Sequence, residues 1–188
     1  MRISAVLSLL TALGLAAGAV HAAHHGGADA KKDKVKEATA SFIDRESNSI
    51  GTATLTESPH GVLIYFDLHG LPPGPKAVHI HTVGTCEDPE EGFVASKGHL
   101  NPDGKEHGLM NPAGPDAGDL PNLVVQDDGT VQVEMFTMLA SLGGAKGRAR
   151  ILDEDAAALV IHLNRDDHIT QPIGGAGPRI ACGVIKAE

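Results

Sequence analysis

The 188-residue chain has no tryptophan, one tyrosine and four phenylalanines, so Val, Ile and Leu must build its core. Basic residues are also in short supply, with 15 Lys and Arg against 24 Asp and Glu and a formal charge of −9. That balance argues against nucleic acid and anionic membranes as partners, because both select a basic surface. No apolar stripe with helical period runs longer than two turns, and the one apolar run near the amino terminus is too short for a comfortable membrane span. Cysteine occurs only at Cys86 and Cys182, and neither follows that run closely enough to suggest lipid attachment.

Residues 1–22 combine a basic Arg2, the apolar stretch AVLSLLTALGLAA and small residues ending at Ala22, the pattern of a secretory signal peptide. In an exported chain, two cysteines most simply form one disulfide, closing a loop of about 96 residues. Two free buried thiols are the alternative. Residues 23–34, AHHGGADAKKDK, are polar and aperiodic and read as a disordered arm. Cleavage after Ala22 would leave a free amine on Ala23 with His25 in third place, a set able to chelate Cu(II); a solvated tail is the plainer reading.

From residue 35 to the end the pattern is one domain of short β-like runs separated by turn signals. Strands are expected near 35–43, 49–57, 61–69, 76–82, 122–126, 130–137, 146–152, 157–163 and 179–186. Asp127-Asp128-Gly129 joins two of them as a hairpin turn. Eight or so antiparallel strands at this spacing imply a sandwich or a barrel.

The chemistry concentrates between Ala77 and Leu123, a short strand feeding a long loop. A structureless connection of that length is uncommon in a compact domain unless it has a job. In VHIH, His79 and His81 share one strand face while Val78 and Ile80 take the other. His99, His107 and Asp119 follow in the same loop, so nitrogen and oxygen donors suited to copper or zinc come from one connection. Farther on, His162 ends the apolar run ALVIH and is followed by Arg165, Asp166 and Asp167, the two aspartates being carboxylates able to orient a ligand; a capped or buried structural histidine is the alternative. Arg179, just after GGAGP, stands near a loop as an anion contact or a surface ion pair.

Taken in order, HIH, GHLNP, EHGL, GDLPNL, ALVIH with its following Asp, and GGAGPRIACGVI resemble the copper,zinc superoxide dismutase family in its exported bacterial form. The likeness covers residues 35–186 and implies an all-β, eight-stranded antiparallel Greek-key barrel of immunoglobulin-like type, with two long active-site loops. It implies copper on His79, His81, His99 and His162, zinc on His99, His107 and Asp119, and Asp166 as the carboxylate linking a copper-ligand histidine to a zinc-ligand one. It further implies Arg179 as the guide for superoxide, His99 as the bridging histidine that takes up a proton, and a Cys86–Cys182 disulfide pinning the loop. One position departs: Asp116 stands where the family has a third zinc histidine, in unchanged register nine after His107 and three before Asp119. An Asp ligand adds charge and reaches less far, so a weakened or partly filled zinc site is expected.

The function so implied is dismutation of superoxide to oxygen and hydrogen peroxide, in the periplasm, with a homodimer the candidate assembly. On an acidic protein, Lys97, Lys105 or Arg165 would have to help Arg179 make a positive mouth. The other classes are a periplasmic copper-buffering or delivery protein with the same fold, and a barrel kept for structural purposes. Retention of four copper-type histidines together with Arg179 argues against both, because storage needs no anion guide.

Overall fold

The computed structural model describes residues 37–188. The expected signal peptide (1–22), the arm (23–34) with its histidines, and the first two residues of the domain expected over 35–188 lie outside the described residues. The strands are β1 (Glu37–Asp44), β2 (Ser49–Ser58), β3 (Gly61–Leu68), β4 (Gly74–Lys76), β5 (Val78–His81), β6 (Leu123–Val125), β7 (Val131–Thr137), β8 (Ala140–Ser141), β9 (Ala149–Arg150), β10 (Ala158–His162) and β11 (Arg179–Ala187). A single 3-10 turn, Val94–Ser96, interrupts the long loop. Among the described residues no helix is long and apolar enough to cross a membrane.

Seven strands pair antiparallel in the order β5-β10-β11-β1-β2-β3-β7. The hairpin at Gln126–Thr130 then returns the chain from β6 into β7, and β6 pairs with β4. Because β4 runs straight on into β5, that pairing brings the two ends of the sheet together. Counting β4 with β5, eight strands close an antiparallel barrel in Greek-key order, as expected. The expected strand over 76–82 is divided at Ala77, whose amide and carbonyl leave the β4–β6 pair to bond Asn164 O and His162 N. The expected strand near 146–152 shrinks to β9, which pairs parallel with the unforeseen β8, the Gly-rich stretch 143–147 looping round so that both strands run the same way.

Alternation explains which side chains go inside. Ala38, Ala40 and Phe42 of β1, Ala53 and Leu55 of β2, Val62, Ile64 and Phe66 of β3, and Leu159 and Ile161 of β10 are all fully buried. Phe42 and Phe66 meet with ring centroids 6.2 Å apart, and each contributes about 1.5–3 kcal/mol of apolar burial. Room for Phe42 comes from Gly183 of β11, where a Cβ would lie 2.8 Å from the ring. Aliphatic residues supply the remainder, as the scarcity of aromatics requires.

Candidate metal centre

Strand β5 is buried on both faces. Val78 and Ile80 enter the barrel, whereas His79 and His81 project outward beneath the loop over 82–122. Register places Val160 opposite His79 and Ala158 opposite His81, and His162 of β10 faces Arg179 of β11 across a bulge. The outer sheet face therefore carries three histidines and the arginine above small apolar residues. His99 joins them through a bridge with His81, and Asp119 through a bridge with His79. Ring centroids of His79 lie 4.1 Å from His99 and 5.0 Å from His162.

One nitrogen of each imidazole is fixed by an oxygen acceptor. His79 Nε2 donates to Asp166 Oδ2 at 2.9 Å, His81 Nδ1 to Lys97 O at 2.8 Å, and His162 Nδ1 to Gly177 O at 3.0 Å. His99 Nδ1 meets Asp116 Oδ2 at 3.0 Å and Asp119 Oδ1 at 3.6 Å. An oxygen acceptor requires the proton on the facing nitrogen, so the other nitrogen keeps its lone pair. Those other atoms, His79 Nδ1, His81 Nε2, His99 Nε2 and His162 Nε2, are all buried without a hydrogen-bond partner. Buried polar atoms rarely go unpartnered, and the imidazoles of His79, His81 and His162, whose ligand atoms converge, with His99 beside them, fit a copper ion.

A carboxylate-rich group adjoins them. The ligand atoms of His79, His99, His107 and Asp119 lie within 4.8 Å of one another, as do those of His79, His81 and His162. His107 Nδ1 donates to Asp119 Oδ1 at 2.6 Å, and Asp116 reaches the same place through its contact with His99. His99 thus turns Nδ1 to the mixed group and leaves Nε2 buried and unpartnered, with its ring 5.4 Å from that of His81. A His2Asp2 donor set of this kind fits zinc. Asp166 spans the two groups, accepting from His79 Nε2 and, at 3.1 Å, from His107 Nε2. His162 is oriented instead by the carbonyl of Gly177. Asp166 is held in turn by Asn122, which donates from Nδ2 to Asp166 O and accepts Asp166 N–H at Oδ1, at 2.9 and 2.8 Å.

The electrostatics divide along the same line. Burial drives the His162 pKa down to about 3, reinforced by charge on His79. His81 is held well below its usual range by burial and then by the Arg179 charge, and burial also lowers His79. Burial opposes protonation of His107, but hydrogen bonds to Asp119 and Asp166 outweigh it and carry the pKa up to about 10. His99 follows His107 upward, burial being overcome by its bonds to Asp116 and Asp119. Burial would raise Asp119 and Asp166, yet the histidines bonded to each hold both well below the carboxylate range. The all-histidine side is poised as neutral nitrogen donors, and the carboxylate side pairs anionic oxygen donors with a proton-bearing His107.

A cavity of about 600 Å3 opens onto the all-histidine group, lined by His81, His99, His162 and Arg179. Arg179 Nη1 donates to Phe93 O at 2.6 Å, and Nη2 donates to Lys97 O at 2.6 Å. Of the three expected helpers only Lys105 lines this cavity; Arg45, unforeseen at the β1–β2 turn, is the other cation there. The loop is pinned from below by the Cys86–Cys182 disulfide and by Phe93, fully buried against Ala158, Val160 and Cys182. Phe93 went unremarked in the sequence, although a lone aromatic in a polar Gly/Pro-rich loop is a signal for an anchor.

The profile of the copper/zinc superoxide dismutase (SODC) family matches residues 49–185. A superoxide dismutase of Cu-Zn type from Caulobacter vibrioides is 47% identical over 150 residues, which is 79% of this chain and 85% of the relative. The second Cu-Zn superoxide dismutase of Aquifex aeolicus is 47% identical over 152 residues, 80% of this chain and 86% of the relative. The crystal structure of a superoxide dismutase-like protein from Bacillus subtilis superposes with a TM-score of 0.72 at 41% identity, covering 78% of this chain and 96% of that one. With the barrel, the paired histidine groups and the disulfide already in place, the chain belongs to the copper/zinc superoxide dismutase family.

Proposed function

We propose that this protein dismutates superoxide, converting two superoxide ions and two protons into one oxygen and one hydrogen peroxide. The observation that carries the reading is the set of four buried, unpartnered imidazole nitrogens, three of whose histidines line a cavity shared with Arg179. His79, His81, His99 and His162 would hold copper; His99, His107, Asp116 and Asp119 would hold zinc. Copper there supplies a one-electron couple between Cu(II) and Cu(I), and zinc, without redox chemistry, supplies fixed charge.

The chain's own groups do the rest. Arg179, always protonated, draws the small anion into a cavity of an otherwise acidic protein and orients it. His99 lines the cavity, and its unpartnered Nε2 is the atom to take up a proton and deliver it to the second superoxide. Asp166 keeps His79 and His107 in their tautomers. The pairing of an anion guide with the nitrogen cluster favours turnover over copper buffering. The amino-terminal pattern and the disulfide support export to the periplasm.

Stopped-flow decay of superoxide tests this. The copper- and zinc-loaded protein accelerates the decay and yields one peroxide per two superoxide consumed; decay at the uncatalysed rate contradicts the reading. Arg179→Ala lowers kcat/KM on the order of tenfold and flattens its ionic-strength dependence. An unchanged salt dependence would show that Arg179 guides nothing.

A second expectation concerns the carboxylate bridge. Gly174 has φ +61°, and a Cβ there would lie 1.6 Å from Asp166 Oδ1. Gly174→Ala therefore pushes Asp166 off its histidines and weakens zinc binding by roughly 10- to 100-fold. Chelator competition measures this, and native zinc affinity in the variant would remove Asp166 from the account.

A further inference from the structure

The 3-10 turn Val94–Ser96 is enclosed by two non-glycine residues in left-handed backbone, Phe93 at φ 57° and Lys97 at φ 65° with ψ −147°. Such conformations cost on the order of 1–3 kcal/mol each and persist where the surroundings overdetermine them. What they present is Ser96, fully buried. Its Oγ donates to Phe93 O at 2.8 Å. The same oxygen accepts from Arg179 Nη1 at 3.2 Å and lies 3.3 Å from His81 Nδ1, whose proton it shares with Lys97 O. A hydroxyl has one proton to give and two lone pairs to offer, and all three are used.

We propose that Ser96 is a positioning residue whose hydroxyl, beside the Lys97 carbonyl, ties the copper-binding His81 to the anion-guiding Arg179. The proposal rests on the roles given to those two residues above. Neither side chain reaches the other directly. Both meet at Ser96 Oγ and at the Lys97 carbonyl, so the turn sets the distance between the metal's nitrogen donor and the guanidinium. Holding the proton on His81 Nδ1 also keeps the Nε2 lone pair facing the cavity. Anion orientation over the metal is then fixed by a residue that touches neither metal nor substrate.

Ser96→Ala removes the hydroxyl without adding bulk, and azide serves as the probe anion on the copper-loaded protein. The variant is expected to bind azide on the order of fivefold more weakly, the loss appropriate to one or two hydrogen bonds. In an Arg179→Ala background the same substitution changes azide affinity little, because the residue it acts through is gone. In the metal-free protein, the His81 Nδ1–H resonance is expected to exchange slowly in the wild type and faster in Ser96→Ala. Wild-type azide affinity in a folded, copper-loaded Ser96→Ala protein overturns the proposal, as does an equal loss in the Arg179→Ala background. A rapidly exchanging His81 Nδ1–H in the wild type also overturns it, even if the variant does not fold. Failure of the wild type to dismutate superoxide would sink the enzymatic reading instead, and the proton-exchange measurement tells the two apart.

Discussion

His162→Ala leaves superoxide decay at the rate set by the copper-free protein. His162 is the cleanest of the four histidines to remove, because its other nitrogen bonds only to Gly177 O. Losing His79 would also unseat Asp166, and losing His99 would damage both groups. With His162 gone, three nitrogen donors remain, and copper affinity falls by more than the roughly 10- to 100-fold typical of changes one layer further out. Zinc affinity, set by His99, His107 and the carboxylates, stays close to native. Titration of each metal, with circular dichroism to verify folding, separates these outcomes. Retention of tightly bound copper and activity would show that the cluster is not the copper site.

Replacing both cysteines by serine lowers folding stability by about 4 kcal/mol, as expected for releasing a loop of nearly a hundred residues. The effect reaches the site because the disulfide and Phe93 are what hold the loop over the sheet, and the loop supplies every acceptor of Arg179. Denaturant titration measures the stability, and kcat/KM should drop with it as Arg179 loses its fixed acceptors. Equal stability and rate in the double variant would mean that Phe93 alone suffices.

The barrel strands were legible because alternation of apolar and polar residues marks a half-buried strand, as in GVLIYFDL, and only closure needed the structure. Division of the expected strand at Ala77 was hidden, since VHIH reads as a continuation of GPK until Ala77 is seen bonding to Asn164 and His162. The donor residues were recognisable from the HIH spacing and from the resemblance. Which nitrogen each one offers was not, because it depends on partners as distant in sequence as Asp166 and Gly177. Ser96 and Arg45 were missed for the same reason. Neither belongs to a motif, and each matters only through contacts the folded loop creates.

The most direct test is elemental analysis of metal per chain on protein loaded with excess copper and zinc, with superoxide consumption measured on the same sample. The account predicts about one copper and one zinc per chain with fast dismutation, Asp116 serving as the fourth zinc ligand. One copper per chain without acceleration of superoxide decay would contradict it.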